Sequence, residues 1–369
     1  MALRIAPYTE ADVAAVLAFN SRLTAGGADP AFRMEESSRA LWIPPDGAGS
    51  LPYQEFFLAW DDDVVRGGYA LKRQRFWLAG EERTVGFFRA PLSEGIIDKK
   101  YATIGGLLLR DALQREPLLF SLGMGNPERP LPRMLRGLRW TFEPVDFLFR
   151  AARPGRVLRG LRAVRTTAVR RLAMDVAAWT GMASVAFRVR QGALPTGEGG
   201  AFTERFSPAE LDTLWNSARG AYSFSAVRDA AVVERLYPAT DERFLRLEVR
   251  EQGRLMGWAV MLDTVMRDDK YFGNLRVGTL IDMLAEPGRE ARVAAVATRW
   301  LTGRGVDLLI SNCAHHGWAD ALRGFGWRNG PTNFYLAFSP KLAKLLDPWD
   351  ANRPGVHLMR GDGDGPIHL

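Results

Sequence analysis

The sequence predicts a two-domain α/β protein made by tandem duplication. Three observations carry that expectation: chain length, an ordered set of internal echoes, and one alternation of helix, hairpin and buried strand in both halves. At 369 residues the chain exceeds what one ordinary core of about 100–200 residues organises. Hydrophobic residues make up 47% and charged residues 25%, which excludes collagen, coiled coil and wholesale disorder. Leu135-Arg136-Gly137-Leu138-Arg139-Trp140 recurs as Leu322-Arg323-Gly324-Phe325-Gly326-Trp327. Val85-Gly86 with Leu92 and Glu94 recurs as Val277-Gly278 with Leu284 and Glu286, and Gly68-Tyr69-Ala70-Leu71 as Gly257-Trp258-Ala259-Val260. The offsets of 187, 192 and 189 residues drift by only a few positions, as expected of two copies of one fold with different loops.

Each copy opens on a polar-capped helix, at Thr9-Glu10 and at Ser207-Pro208, with an acid in the first turn. A hairpin follows: Glu55–Trp60 with Gly67–Arg73 in the first copy, Phe244–Arg250 with Leu255–Leu262 in the second. A further strand, a helix, a buried strand (Leu118–Leu122; Val306–Ser311) and a second helix ending at the Leu-Arg-Gly echo complete the unit. The continuous apolar character of the buried strands suits a central position in a mixed, mostly antiparallel sheet. The expected division is 1–150 and 201–345 for the two domains, 151–200 for a basic connector and linker, and 346–369 for a Gly/Asp-rich tail.

This order of elements resembles the GNAT superfamily of acyl-CoA N-acyltransferases. Its members carry Arg/Gln-x-x-Gly-x-Gly/Ala between the fourth strand and the next helix; here the window reads Lys100-x-x-Thr103-x-Gly105 and continues into Gly106. The resemblance implies two tandem GNAT-like domains and transfer of an acyl group, acetyl first among them, from an acyl-CoA co-substrate to a small-molecule amine. It also places the cofactor on Lys99, Lys100, Thr103, Ile104, Gly105 and Gly106. Small residues at a helix start let backbone N–H groups approach a pyrophosphate, and the helix dipole adds favourable field. The second copy has an acidic, shorter turn there, Glu286-Pro287-Gly288-Arg289-Glu290, so acyl-CoA is expected in the first half alone.

Acyl transfer needs a base for the amine and an acid for the leaving thiolate. Many family members place a Tyr five residues before the aromatic that closes the last helix; Leu135 and Leu322 stand there instead. Candidate bases are Glu94 in the first copy and Asp282 or Glu286 in the second. His315 and His316 are further candidates because they follow a buried strand, where such sheets bind ligands. The alternative for the carboxylates is a solvated residue or a helix-cap partner, and for the histidines capping or packing at a helix start. Lone Cys313 fits a small core residue better than a nucleophile, and one cysteine supports neither a disulfide nor a metal cluster. The aromatics Phe56, Phe57, Phe76, Trp77, Phe87 and Phe88 fit sheet packing better than a long-chain pocket.

Charge is concentrated rather than large: 49 Lys plus Arg against 42 Asp plus Glu. Eight arginines and no acid lie between Arg150 and Arg171. Read as a helix over 155–172, this segment is basic and amphipathic, and three roles compete: an anionic-membrane contact, a nucleic-acid contact, or a packed helix with solvated arginines. The membrane reading suggests an amino sugar or other cell-envelope precursor as acceptor. Two rival functions remain, a Fem-type tRNA-dependent aminoacyltransferase and a non-catalytic GNAT-like scaffold. With no apolar stretch of about 20 residues, a soluble, cytoplasmic, bacterial-type protein is expected. The tail reads as a mobile terminus; were it ordered, Asp362, Asp364 and His368 would be available to a site.

Overall fold

A computed structural model describes residues 3–39, 43, 51–125, 127–162, 200–332 and 334–363. The chain forms two compact units, each drawn from both halves of the sequence. Unit 1 comprises Met1–Pro144 and Asn333–Trp349, and unit 2 comprises Val145–Thr332 and Asp350–Leu369.

Unit 1 is a mixed sheet of β1 (Leu3–Pro7), β2 (Tyr53–Asp61), β3 (Val64–Leu78), β4 (Glu81–Ser93), β5 (Leu119–Leu122), β6 (Thr141–Pro144) and β15 (Tyr335–Phe338). Its order is β1-β2-β3-β4-β5-β15-β6, antiparallel throughout except between β4 and β5. The run Phe56–Trp60 is apolar at every position because β2 is covered on both faces. Phe56, Leu58 and Trp60 pack with Val16, Phe19 and Leu23 of α1 (Val13–Ala25). Phe57 and Ala59 pack with Ile104, Leu108 and Ala112 of α2 (Ile104–Arg115). Five of the six singled-out aromatics are buried in the sheet. Phe57, Tyr69 and Phe88 pack ring against ring in one cluster, and Phe76, Phe87 and Phe120 in another, with Phe57–Tyr69 and Phe87–Phe120 stacked.

Unit 2 repeats the plan with β7 (Asp146–Ala151), β8 (Gly200–Thr203), β10 (Leu245–Glu251), β11 (Arg254–Val265), β12 (Arg276–Ala285), β13 (Leu308–Cys313) and β14 (Arg328–Asn329), in the order β14-β7-β13-β12-β11-β10-β8. Only β12 and β13 run parallel. Helix α7 (Glu290–Gly303) buries Val293, Val296, Ala297 and Leu301 against this sheet. A small parallel pair, β9 (Phe224–Ala226) with β16 (Val356–His357), completes the unit.

The contiguous division at residues 150 and 345 is corrected by this architecture. By the 187-residue echo, β7 of the first copy corresponds to β15 of the second. Yet β15 lies between β5 and β6 in unit 1, while β7 lies between β13 and β14 in unit 2. The copies have exchanged equivalent strands. Each strand keeps its place in the sheet and changes only the copy that supplies it, a low-cost exchange because the pairing edges are alike.

The recurring Leu-Arg-Gly-x-x-Trp hexapeptide is a helix stop. Trp140 N–H donates to Leu135 O at 3.1 Å after α3 (Pro130–Gly137), and Trp327 N–H donates to Leu322 O at 3.2 Å after α8 (His316–Gly324). This six-to-one bond needs a left-handed residue before the Trp, supplied by Arg139 at φ 61° and Gly326 at φ 79°. Both leucines are fully buried, so the positions where the resemblance expected a Tyr are core. The glycine echo also shifts by one: Gly67, not Gly68, matches Gly257. A Cβ on Gly67 would come within 2.6 Å of Leu92 O, and one on Gly257 within 2.7 Å of Leu284 O.

Two readings of the connector and tail change. Of the basic helix expected over 155–172, the described part forms α4 (Pro154–Gly160), after which Leu161 is extended. Val157 and Leu161 pack with Met266, Leu275 and Leu308 of unit 2. Arg153 and Arg156 lie 3.6 Å from Asp307, and Arg162 pairs with Asp268 at 2.8 Å. Residues 163–199, with the rest of the stripe and the linker, lie outside the described residues. The tail is built into unit 2 as far as Gly363, whereas Asp364 and His368 lie outside the described residues.

The helix stop yields a directional test. Arg139→Gly is expected to raise stability by about 1 kcal/mol, because a non-glycine residue in the left-handed region costs about that much. Gly326→Arg is expected to lower it by a similar amount, both read from the thermal unfolding midpoint.

Candidate functional site

In both units the two parallel strands diverge at the same place. Strands β4 and β5 pair only at Gly86↔Leu119 and Phe87↔Phe120, and β12 and β13 only from Val277↔Leu308 to Leu280↔Ser311. Beyond these pairs the inner strand carries one extra residue against its hairpin partner. The register shifts at Arg89–Leu92 opposite Gly68 and Ala70, and at Ile281 opposite Val260 and Met261. Such a bulge bends the strand and ends pairing. A serine bridges the strands where they part in each copy, one level beyond the last pair in unit 1 and at the last pair in unit 2: Ser121 Oγ donates to Phe88 O at 2.8 Å and Ser311 Oγ to Leu280 O at 3.3 Å.

The two openings differ in what lines them. In unit 1 Ala90 is exposed, and Pro91, Gly123, Met124 and Gly125 are half-buried. At the mouth, a 3-10 turn over Lys99–Tyr101 leads through Thr103 into α2. Lys99, Lys100, Thr103 and Gly106 are exposed there, and Ile104 is buried in the core under the helix. A Cβ on Gly106 would meet nothing within 4 Å, and one on Gly105 only Met134 Sδ at 3.7 Å. Among the described residues the first turn of α2 thus presents its N–H groups to a clear approach, with two lysines beside it.

In unit 2 the same opening is sealed. His357 Nε2 lies 3.0 Å from Met283 O of β12, Met359 bridges Cys313 of β13, and Ala314 N–H donates to Leu358 O at 2.9 Å. The segment 356–362 therefore runs between the two strands. The helix start at this opening is also less welcoming to an anion: Glu290 opens α7, and Glu286, tied to Arg254, precedes it.

The expected site residues do not converge. Glu94 is buried in unit 1 and clamped by Arg22 at 3.0 Å and Arg66 at 3.0 Å, so both its oxygens face guanidinium groups. Asp282 is buried at the unit 2 bulge. It accepts from Arg228 Nε at 2.9 Å, Met283 N–H at 2.9 Å and Tyr237 OH at 3.0 Å. Burial raises its pKa in spite of Arg228. His315 caps α8, accepting Trp318 N–H on Nδ1 at 3.2 Å, and burial lowers its pKa to about 4. Its ring packs edge-on to Tyr222 and His357. His316, in the first turn of α8, is exposed. Cys313 is buried, and its thiol is pushed up to about 12 by burial, opposite to what a nucleophile needs. Among the described residues no group of three or more His, Cys, Asp or Glu could hold a metal ion.

Sequence reading missed Arg228, which is fully buried and joins Asp282, at 2.9 Å, to Asp362, at 2.7 Å. Its position in Ala226-Val227-Arg228-Asp229 carries no periodic signal; an arginine inside an otherwise apolar stretch was the available clue.

Comparison of the folds places the chain in a class. It matches the Saccharomyces cerevisiae N-myristoyltransferase, solved with bound myristoyl-CoA, at a TM-score of 0.54 and 11% identity, over 91% of this chain and 78% of that one. A second structure of the yeast enzyme, with myristoyl-CoA and inhibitors, matches at 0.54 and 10% identity, covering 91% and 79%. A conserved protein of Enterococcus faecalis V583, described as a probable N-acyltransferase, matches at 0.50 and 10% identity, covering 94% and 75%. The fold is therefore a tandem GNAT-like fold. No family model matches the sequence, and no curated protein matches it. No described helix is long and apolar enough to cross a membrane.

The capping histidine gives a pH test. The folded pKa of His315 lies below its ordinary value of about 6.5. Its neutral form therefore contributes stability that is fully present above about pH 6.5 and is lost as pH falls through about 4. His315→Asn, which keeps a capping oxygen, is expected to lessen the decline of the thermal midpoint between pH 6.5 and 4.

Proposed function

We propose that this chain is an acyl-CoA-dependent N-acyltransferase that binds one acyl-CoA in unit 1 and transfers its acyl group to an amine. One observation carries the reading: of two equivalent strand openings, the one beside Gly105 and Gly106 is accessible among the described residues, while the other is filled. In this reading the pantetheine lies along the diverging end of β4, and the first turn of α2 holds the pyrophosphate, aided by Lys99 and Lys100. Thr103 lines the approach, and Ile104 anchors the helix from below.

The amine must lose a proton as the thioester carbon is attacked, and the thiolate must gain one. Glu94, the named candidate in unit 1, has both oxygens engaged by Arg22 and Arg66, so water is the proposed proton acceptor for the amine. Buried Leu135 and Leu322 cannot supply the acid, which leaves water or the acceptor's own ammonium proton. Acetyl is the proposed acyl group, since the buried aromatics of unit 1 are committed to packing. The acceptor is a small-molecule amine, with an amino sugar or cell-envelope precursor to be screened first. The ion-paired arginines of α4 weaken the nucleic-acid and membrane readings of that element.

Calorimetric titration tests the cofactor site. Wild type is expected to bind one acetyl-CoA or longer acyl-CoA per chain. Gly106→Glu is expected to weaken binding at least about tenfold, by placing a like charge and a side chain at the pyrophosphate position. Unchanged binding by this variant, with Lys100→Ala equally silent, would move the site away from α2.

A further inference from the structure

Unit 2 has the same opening as unit 1, but a stretch of its own chain lies in it with the contacts of a bound peptide. Val356 and His357 add a parallel strand to β9. Leu358 accepts from Ala314 N–H, and Met359 bridges Cys313. His357 lies nearly parallel to both Tyr222 and Trp318, with ring centroids 4.9 and 6.2 Å away. Its Nε2 meets Met283 O. Val356, His357, Leu358, Met359, Gly361 and Asp362 are all buried. Strand addition with pockets for alternate side chains is a general mode of peptide recognition.

Two features give this contact selectivity. Asp362 is read by a fully buried cation: Arg228 Nη2 donates to its Oδ2 at 2.7 Å, while Nε holds Asp282 at 2.9 Å. Asp362 Oδ2 also accepts Met359 N–H at 2.8 Å, which turns the segment back on itself. Gly361 passes so close to Tyr237 that a Cβ would lie 1.8 Å from the phenol oxygen and 3.3 Å from Ile281 Cγ2. No larger residue fits without movement.

We propose that the opening of unit 2 is a groove for an extended, aspartate-bearing peptide, and that its resident ligand is this chain's own segment Val356–Gly363. Arg228 is the residue that reads the aspartate. Resting on the function proposed above, the occupancy also closes unit 2 to acyl-CoA and leaves one cofactor site per chain.

Hydrogen exchange on the full-length chain, compared with Asp362→Ala, tests the groove without reference to acyl-CoA. The amides of Ala314 and Met359 are expected to exchange about tenfold faster or more in the variant, while those of β10 and β11 keep their protection. Equal exchange at Ala314 and Met359 in both chains overturns the proposal, and so does a uniform rise across unit 2, which marks a core residue rather than a ligand contact. In a second arm, a synthetic peptide spanning Asn352–Gly363 is added to the Gly361→Val chain, with thermal unfolding confirming that this chain is folded. The peptide is expected to bind that chain and not wild type, and its Asp362→Ala version is expected to fail. No binding to a folded Gly361→Val chain overturns the groove; if that chain does not fold, the exchange arm decides. In the Gly106→Glu background, acyl-CoA bound with unchanged affinity in unit 2 refutes the closure alone, whereas no binding to wild type refutes the proposed function and leaves the groove standing.

Discussion

Buried backbone N–H and C=O groups must find partners, and in both units that requirement meets a bulge that stops two parallel strands from pairing. The extra residue at Arg89–Leu92 and at Ile281 ends the pairing of the two parallel strands and opens a gap between them. Much else in this molecule answers to that interruption. In unit 1 the gap is left accessible, among the described residues, beside a glycine-rich helix start. In unit 2 it is met by main chain from residues 356–362 and by a buried guanidinium holding two carboxylates.

The charge arithmetic of the second answer explains why it is tightly built. Arg228, Asp282 and Asp362 together place one positive and two negative groups in the interior. A buried ion group of this kind survives only with nearly complete hydrogen bonding, here from Tyr237, Ser225, Met283 N–H, Met359 N–H and Ala226 O. The neighbouring imidazoles of His315 and His357 are held neutral, burial and the Arg228 charge both lowering their pKa. The cluster therefore favours a closed interior over an exposed acid–base pair, which separates it from the accessible α2 mouth.

Duplication gave the two units a common frame and the freedom to diverge. The helix stops at Trp140 and Trp327, the serine bridges at Ser121 and Ser311, and the glycines at Gly67 and Gly257 are shared. The residues beyond the bulge are not: exposed Ala90 corresponds to buried Asp282. This is where a sequence comparison sees drift and the structure sees different occupants.

By itself the sequence determined the fold class, the duplication, the hairpins, the buried strands and the glycine-rich helix start, because period, turn residues and local echoes are properties of neighbouring residues. It did not reveal the exchange of β7 and β15. The equivalent strands suit either sheet, so only tertiary pairing decided which copy supplies each one. Nor did it reveal that the Gly/Asp-rich tail is core as far as Gly363, because Asp362 gains its role from Arg228, 134 positions away. Glu94 was legible as an acid at a strand end, but its clamp by Arg22 and Arg66 depends on side chains up to 72 positions apart. Long-range partners set burial and ionisation, and the tertiary structure alone supplied them.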